Sequence, residues 1–226
     1  MAEFVEYIYA IKDKIHEIYE KTFGSLIRQL FTKPASILFL GIDNAGKTTL
    51  LNKLRDNTTN TYAPTRHPQK NEVEIGNLKA NVVDLGGHEA ARLAWEQYYY
   101  DCNGIVFIVD VNDKERFPIV KKVYDELRST VVNKRHLKVP IVVLMNKIDI
   151  LGHTTESAED DPQFIDMLTE NLGIENEGED SGQPVRIFYL SIKEESPNNM
   201  NGSLVQAFQW LSKMISLKEA KTNADL

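Results

Sequence analysis

The segment Gly41-Ile42-Asp43-Asn44-Ala45-Gly46-Lys47-Thr48 has the residue types and spacing that suit the binding of phosphate groups. It follows the apolar run Ser36–Leu40 and precedes a helical pattern led by Leu50, which is the strand, loop and helix context that a P-loop requires. Small residues let backbone N–H groups surround phosphates, and the new helix N-terminus favours their charge. Lys47 would then reach the β- and γ-phosphates, and the Thr48 hydroxyl would bind Mg²⁺. Taken alone, the motif leaves open a purely structural glycine turn.

A second motif, Asn146-Lys147-Ile148-Asp149, follows the buried strand predicted at Ile141–Met145. Asp149 can accept hydrogen bonds from both N1–H and the exocyclic amine of guanine. Adenine has an acceptor at N1 and no amine at C2, so the same carboxylate would stay unpaired against it, at a cost on the order of a few kcal/mol. A solvated Asn-Lys loop is the alternative reading. The pair of motifs favours a guanine nucleotide.

Two further segments stand at the ends of predicted strands. Asp84-Leu85-Gly86-Gly87-His88 offers a carboxylate for the Mg²⁺ shell and, at Gly87, a backbone that can approach a γ-phosphate closely. Ser191-Ile192-Lys193 follows the last strand, where the Ile192 N–H could meet the guanine carbonyl oxygen. The residues predicted to contact the nucleotide are Asp43, Asn44, Ala45, Gly46, Lys47, Thr48, Thr49, Asn146, Lys147, Asp149, Ser191, Ile192 and Lys193.

Strands alternating with helices must position these motifs. The apolar runs Ile105–Val109 and Ile141–Met145, with a weaker run at Arg186–Leu190, predict parallel strands, and Glu72–Val83 predicts a hairpin turning at Gly76-Asn77. Together with the strand before the P-loop, they predict an α/β fold with a mostly parallel six-stranded sheet, one antiparallel edge strand and flanking helices.

The C-terminal half is predicted to be less regular. The polar stretch 152–183 is expected to be mobile and to contain one short helix around Phe164–Leu172. The last helix is expected over Ser203–Ile215, followed by a short, loose polar tail.

Composition excludes several classes of protein. A formal charge of -7 on 226 residues argues against a nucleic-acid binder that depends on a positive field. The single cysteine, Cys102, cannot form an internal disulfide and fits a reducing compartment. Glu6 and Lys12 interrupt any signal-peptide core, no run is apolar enough to span a membrane, and Ala2 does not permit myristoylation.

The order and spacing of the motifs resemble the Sar subfamily of Arf-type small GTPases over about residues 34–216. Pro64-Thr65-Arg66-His67-Pro68, and His88 where most small GTPases carry Gln, favour Sar over Arf. The resemblance implies a P-loop small-GTPase fold, with Thr65 closing on Mg²⁺ when a γ-phosphate is present and His88 orienting the attacking water. It implies the metal-proximal set Thr48, Thr65, Asp84 and Asp43, and the catalytic set His88, Lys47, Thr65 and Gly87.

By the same resemblance, the chain hydrolyses GTP to GDP and phosphate slowly by itself and faster with a partner, with GTP/GDP and Mg²⁺ as ligands. The implied partners are the inner-coat heterodimer of the COPII vesicle coat, including its GTPase-activating subunit, and an exchange factor of the endoplasmic reticulum membrane. The implied location is the cytoplasmic face of that membrane and its Golgi-bound vesicles, with a cytosolic pool in the GDP-bound state. Nucleic acid is not expected as a partner.

The amino-terminal arm, residues 1–33, precedes the GTP-binding domain predicted over 34–226. Its apolar residues fall on one helical face, which predicts an amphipathic helix: Phe4, Ile8, Ile11, Ile15 and Ile18. The resemblance to Sar implies that this helix inserts shallowly into the membrane when GTP is bound. Packing of this face on the domain or on a second copy stays open as an alternative. A GTP-binding scaffold with negligible hydrolysis and an Arf-like protein at another membrane are the competing functional hypotheses.

Overall fold

The computed structural model of the protein describes residues 35–57, 65, 68–75, 78–131, 139–178, 181 and 183–224. These residues belong to the compact unit that begins at Ala35. The predicted amino-terminal amphipathic helix and the Gly76-Asn77 turn lie outside the described residues.

Strands and helices alternate along most of the described chain. The strands are β1 (Ala35–Leu40), β2 (Gln69–Ile75), β3 (Leu78–Asp84), β4 (Gly104–Asp110), β5 (Ile141–Asn146) and β6 (Val185–Leu190). The helices are α1 (Lys47–Asp56), α2 (Glu89–Arg92), α3 (Phe117–Ser129), α4 (Thr155–Glu159), α5 (Pro162–Leu172) and α6 (Ser203–Ala224). Short 3₁₀ turns lie at Trp95–Gln97, Tyr99–Asp101, Lys114–Arg116 and Ile148–Leu151.

The strands form a six-stranded sheet in the order β2-β3-β1-β4-β5-β6. β2 is antiparallel to β3, and the other neighbours are parallel, so the predicted fold class is confirmed. Every residue of β4 and β5 is buried, as expected for unbroken apolar strands covered on both faces. Asp110 is opposite Asn146, and Asn146 is opposite Leu190. The polar residues that end these strands therefore meet at one edge of the sheet.

Side chains alternate between two helical layers. Leu38 and Leu40 of β1 join the apolar cluster that includes Tyr124 of α3, whereas Phe39 packs edge-on against Phe208 of α6, with ring centroids 6.2 Å apart. This alternation is the period of two that a strand imposes. The sheet therefore sits between two helical layers.

The outer edge of β6 is covered by the segment that follows α5. The Glu177 N–H donates to the Val185 carbonyl at 2.8 Å, and the Val185 N–H donates back at 3.2 Å. Further along, the Ile187 N–H donates to Asn176 Oδ1 at 2.8 Å. Arg128 of α3 holds Glu177 through an ion pair. Backbone groups of this edge strand are thus already engaged within the chain.

Two sequence-based expectations are corrected in the C-terminal half. The stretch expected to contain one helix contains α4 as well as α5, because Thr154 and Ser157 form a reciprocal capping box that starts a short helix. The last helix does not end at Ile215 but continues to Ala224, through residues of high helix propensity such as Leu217 and Ala220. Within the described ranges, no helix has both the length and the apolar character needed to cross a bilayer.

Candidate functional site

The loop between β1 and α1 owes its shape to residues in the left-handed region of backbone space. Gly41, Asn44 and Gly46 have φ angles of 135°, 63° and 113°. A side chain at Gly41 would also collide with the Ile108 carbonyl of the neighbouring strand β4, so glycine is required there on two grounds. A loop in which left-handed residues alternate with others can direct its backbone N–H groups toward a bound anion.

Lys47 is buried at the start of α1, with only 5% of its surface exposed. Its Nζ donates to the carbonyl oxygens of Gly41 and Ile42 at 2.9 and 2.7 Å. Burial lowers the pKa of Lys47 to about 8, although the charges of Asp84 and Asp43 act in the opposite direction. Phosphate oxygens beside this ammonium group would stabilise its charged form.

Three oxygen-bearing side chains, Thr48, Thr65 and Asp84, converge next to the loop. Thr48 Oγ1 donates to Asp84 Oδ2 at 2.7 Å and lies 2.9 Å from Thr65 Oγ1, which is 3.3 Å from the same carboxylate oxygen. Burial raises the pKa of Asp84, while hydrogen bonds from Thr48 and Thr65 and the charge of Lys47 lower it. The other carboxylate oxygen, Asp84 Oδ1, is buried without a hydrogen-bond partner.

This donor set fits Mg²⁺. Mg²⁺ prefers carboxylate, hydroxyl and water oxygens, and a buried carboxylate oxygen without a partner costs free energy unless a cation or a donor reaches it. Elsewhere in the part of the chain that the structure describes, no cluster of three or more His, Cys, Asp or Glu side chains offers a competing metal site. Thr48, Thr65 and Asp84 are therefore the residues that would hold the ion.

Asp43 has no contact with this cluster among the described residues, and its metal-proximal role stays a prediction. Its Oδ2 lies 3.2 Å from Arg116 Nη1, and half of its side chain is exposed. Arg116 is held in turn by Asp113, whose Oδ2 accepts from Arg116 Nε at 2.7 Å. Because Arg116 lies just before α3, the P-loop is tethered to the neighbouring βα unit.

The segment after β3 closes on the P-loop through its two glycines. A Cβ atom on Gly87 would collide with the backbone amide of Asp43 and with Lys47 Nζ, and one on Gly86 would collide with the Thr65 carbonyl. Only glycine permits backbone contact this close. The structure therefore brings Gly87 next to Lys47, and the approach of Gly87 to a γ-phosphate stays a prediction.

His88 follows these glycines and is exposed at the start of α2. Trp95, which the sequence reasoning did not single out, anchors the segment because its Nε1–H donates to the Gly86 carbonyl at 3.1 Å. Leu93 and Tyr100 on the same stretch are 81% and 63% exposed. The imidazole is thus open to solvent beside the closely packed glycines.

On the opposite side of the P-loop, Asn146 acts as a bridge. Its Nδ2 donates to the Ala45 carbonyl at 2.8 Å, and its Oδ1 accepts from the Ile192 N–H at 2.9 Å. The predicted hydrogen bond from the Ile192 N–H to a guanine carbonyl is therefore not supported, since this amide already has a partner within the chain. Asn146 instead ties the phosphate-binding loop to the loop after β6.

Lys147 and Asp149 complete this side of the site. Lys147 adopts a left-handed backbone conformation, with φ of 70°, and its Nζ lies 2.6 Å from Asp110 Oδ2. Asp110 is buried at the end of β4 and also accepts the Asn112 N–H at 3.0 Å. Asp149 lies half-buried in the 3₁₀ turn that follows, so its carboxylate remains available to a base.

The remaining predicted residues are spread around the same edge of the sheet. Asn44 is exposed at the loop tip, and Thr49 is half-buried in the first turn of α1. Ser191 is buried, whereas Lys193 is exposed and its carbonyl accepts from Lys53 Nζ at 2.6 Å.

Asp110, Arg116 and Lys53 were missed by the sequence reasoning. A charge that ends an otherwise apolar strand could have indicated Asp110. The other two residues resemble ordinary charged helix-surface positions in the sequence, where nothing marks them.

Comparison with known proteins places these features in a family. The model of the ADP-ribosylation factor family (Arf) matches residues 23–215. The chain is 54% identical to the small COPII coat GTPase SAR1 of Encephalitozoon cuniculi, over 96% of each chain. It is 38% identical to the Giardia intestinalis protein of the same name, over 82% of this chain and 92% of that protein.

Solved structures agree with this placement. The crystal structure of the Encephalitozoon cuniculi SAR1 in complex with GDP superposes with a TM-score of 0.69 at 53% identity, covering 96% of each chain. The Arl6 small GTPase of Trypanosoma brucei, solved with the nucleotide analogue GppNp, has a TM-score of 0.61 at 25% identity and covers 81% of this chain.

Proposed function

Because the chain belongs to the ADP-ribosylation factor (Arf) family, we propose that it is a GTP-hydrolysing switch of the SAR1 kind that promotes COPII coat assembly. The observation that carries the nucleotide-switch part is the convergence of Thr48, Thr65 and Asp84 beside the P-loop lysine. These residues come from three separate segments of the chain, and a nucleotide-bound Mg²⁺ explains why their oxygens meet. The coat part rests on the 54% identity to a SAR1 protein along nearly the whole chain.

In the proposed complex, the residues of the P-loop bind the phosphates and those of the base side bind guanine. The amides around Gly46 and the Lys47 ammonium group contact phosphate oxygens, and Asp149 accepts from N1–H and the amine of guanine. Lys147 is positioned over the nucleotide by its ion pair with Asp110. Asn146 keeps the two halves at a fixed separation.

Hydrolysis in this proposal depends on positioning and on charge stabilisation rather than on a strong base. A bound Mg²⁺ would neutralise negative charge on the phosphate oxygens. Lys47 would stabilise charge that develops on the transferred group, and the Gly87 backbone, which packs against Lys47 Nζ and the Asp43 amide, would contact the γ-phosphate. His88, exposed beside Gly87, orients the attacking water. By the resemblance to SAR1, we expect slow intrinsic turnover and an arginine supplied to the transferred phosphate by a partner.

The switch itself consists of Thr65 and the Gly86–Gly87 backbone. In the structure, the Thr65 carbonyl lies against Gly86, and Gly87 lies against the P-loop. We expect both contacts to be favoured by a γ-phosphate and weakened after its release, so that the exposed Leu93 and Tyr100 change position with the nucleotide state.

The finer biological assignments rest on the resemblance to SAR1. We propose that residues 1–33 form an amphipathic arm that inserts into the endoplasmic reticulum membrane in the GTP-bound state, and that residues 34–226 form the GTP-binding domain. The proposed partners are the inner-coat heterodimer with its GTPase-activating subunit and a membrane exchange factor. A soluble pool is expected when GDP is bound.

Flotation with liposomes tests the membrane-switch proposal. The full chain and a chain lacking residues 1–22 are loaded with GDP or with a non-hydrolysable GTP analogue and mixed with liposomes containing anionic lipid. We expect flotation only for the full chain with the analogue. Flotation that is independent of the nucleotide, or retained without residues 1–22, would overturn the proposed membrane switch.

Nucleotide specificity tests the proposed ligand separately. A fluorescent GDP bound to the chain should be displaced by GDP and GTP but not by ADP or ATP at the same concentration. Displacement by adenine nucleotides at similar concentrations would refute the role proposed for Asp149. The stimulated hydrolysis rate, measured with added inner-coat heterodimer, separates the switch from a GTP-binding scaffold.

A further inference from the structure

Lys53 is a buried lysine on α1, on the side of the helix that faces the loop after β6. Only 6% of its surface is exposed, and its Nζ donates to the Lys193 carbonyl at 2.6 Å, across 140 positions in the sequence. Lysine is seldom buried because removing an ammonium group from water is unfavourable. A buried lysine that donates to a distant backbone carbonyl therefore calls for an explanation.

The charge of Lys53 is balanced by the residues that follow Lys193. Burial lowers the pKa of Lys53, whereas the carboxylates of Glu195 and Glu194 raise it. Glu195 is itself held at the start of α6, because its Oε2 accepts the Leu204 N–H at 3.3 Å. The loop after β6 is thus fixed to α1 on one side and to α6 on the other.

This contact completes a ring of hydrogen bonds around the base side of the site. Asn146 joins the Ala45 carbonyl to the Ile192 N–H, and Lys53 joins α1 to the Lys193 carbonyl, one residue further along. Ala45 and Lys53 lie on the continuous P-loop and α1 segment. The phosphate-binding segment is therefore hydrogen-bonded to two adjacent residues of the loop after β6, to Ile192 through the Asn146 side chain and to Lys193 directly through Lys53.

We propose that Lys53 is a positioning residue that sets how tightly the chain retains guanine nucleotides, by holding the 191–193 loop against the base. The inference rests on the proposed function as a guanine-nucleotide switch and names a residue outside its motifs. Lys53 does not contact the nucleotide in this proposal; it acts through the Lys193 carbonyl.

A role in retention can be separated from a role in stability. Lys53→Met removes a buried ammonium group whose separation from water is unfavourable, and Lys193 is exposed, so water can reach its carbonyl after the change. Because a bound ligand adds to stability, tenfold weaker retention by itself lowers the unfolding free energy of the GDP-loaded chain by about 1.4 kcal/mol. In urea titrations, Lys53→Met should lower it by no more than this amount. The same substitution should loosen the loop and accelerate nucleotide release.

The test measures release of a fluorescent GDP from the full chain in excess unlabelled GDP at fixed Mg²⁺. Lys53→Met should release GDP about tenfold faster, the effect of one hydrogen bond from a charged donor. The matched control is Lys122→Met, the same change at an exposed position of α3 whose side chain is 75% exposed. Release should rise by the same factor for a non-hydrolysable GTP analogue, because the two nucleotides share the base.

Two further variants identify the route of the effect. Lys53→Arg keeps a cationic donor and should recover most of the slow release, and this variant also serves if Lys53→Met does not fold. In an Asn146→Ala background, where the loop has already lost one tether, adding Lys53→Met should accelerate release less than threefold, because the two substitutions act on the same element.

Release from Lys53→Met at the wild-type rate would overturn the inference and leave the proposed function intact. So would faster release accompanied by a fall in unfolding free energy well beyond about 1.4 kcal/mol, or a tenfold effect that persists in the Asn146→Ala background. A wild-type chain that does not retain GDP at all would overturn the proposed function and this inference with it.

Discussion

Replacing Asn146 with alanine would remove the side chain that joins the P-loop to the loop after β6. Asn146 is 3% exposed, and its hydrogen bonds to Ala45 and Ile192 measure 2.8 and 2.9 Å. Each backbone group left buried without a partner costs about 1–3 kcal/mol, so the pair is worth roughly 2–6 kcal/mol. A water molecule could enter the vacated space and recover part of this loss.

The lower part of that range, about 2–3 kcal/mol, predicts release of GDP about 30 to 150 times faster than from the wild-type chain. The assay is displacement of a fluorescent GDP by excess unlabelled GDP at fixed Mg²⁺. Asn171→Ala is the matched control, because Asn171 is exposed on α5 and donates only to the Met167 carbonyl of its own helix. It should release GDP at the wild-type rate.

A second substitution at the same position distinguishes the two hydrogen bonds. Asn146→Asp keeps an oxygen for the Ile192 N–H but places another oxygen against the Ala45 carbonyl, where the structure has an N–H donor. We expect this variant to release GDP at least as fast as Asn146→Ala. If folded Asn146→Ala released GDP within threefold of the wild-type rate, the bridge would not contribute to retention and the reasoning would be refuted.

Three other predictions concern the switch segments and the buried thiol. Thr65→Ala should raise the Mg²⁺ concentration needed to retain a GTP analogue by about tenfold while changing GDP retention little, since the Thr65 hydroxyl lies 2.9 Å from Thr48 Oγ1. EDTA titration measures this, and equal effects on both nucleotides would contradict it. Gly87→Ala should lower the affinity for the GTP analogue by about tenfold, because the added methyl group collides with the P-loop backbone. The control is Gly178→Ala, where the added methyl group meets nothing within 4 Å; it should bind the analogue normally in the same titration. Burial raises the pKa of Cys102 from 9.0 to about 12, so alkylation at pH 8 should be at least about 1000-fold slower in the folded chain than in urea. A similar alkylation rate in both states would exclude the burial of this thiol. Because the thiol of the unfolded chain loses its proton first, the free energy of unfolding should fall as the pH rises from about 9 toward 12.

The sequence predicts the sheet well because its strands are long apolar runs. β4 and β5 can be recognised from the sequence alone because each contains an unbroken apolar run, and the structure buries every residue of both strands. The same reasoning places the P-loop and Asn146 at one edge of the sheet, because motifs that follow parallel strands share an edge.

The sequence does not show which distant side chains pair with one another. Asp43 and Asp84 are both carboxylates near the P-loop, yet only Asp84 joins the two hydroxyls, because Asp43 pairs with Arg116 from a segment more than seventy residues away. The Ile192 amide is likewise taken by a side chain from another strand. Such contacts depend on how the βα units pack, and local spacing does not encode that packing.

Helix limits were misjudged for a different reason. The start of α4 is set by the exchange of hydrogen bonds between Thr154 and Ser157. The surrounding residues are polar and acidic, so no apolar pattern marks this helix in the sequence. The end of α6 was expected where the apolar pattern stops at Ile215, but helix propensity carries the backbone to Ala224. Apolar periodicity reports where a helix is buried rather than where it ends.

The covered edge of β6 has a consequence for how copies of the chain associate. An outer strand with free N–H and C=O groups is a template on which another chain can add a strand and start aggregation. Here the Glu177 backbone and the Asn176 side chain occupy positions on that edge, and Arg128 fastens the covering segment to α3. Copies of the chain can therefore come close together without this edge adding a strand from a neighbour.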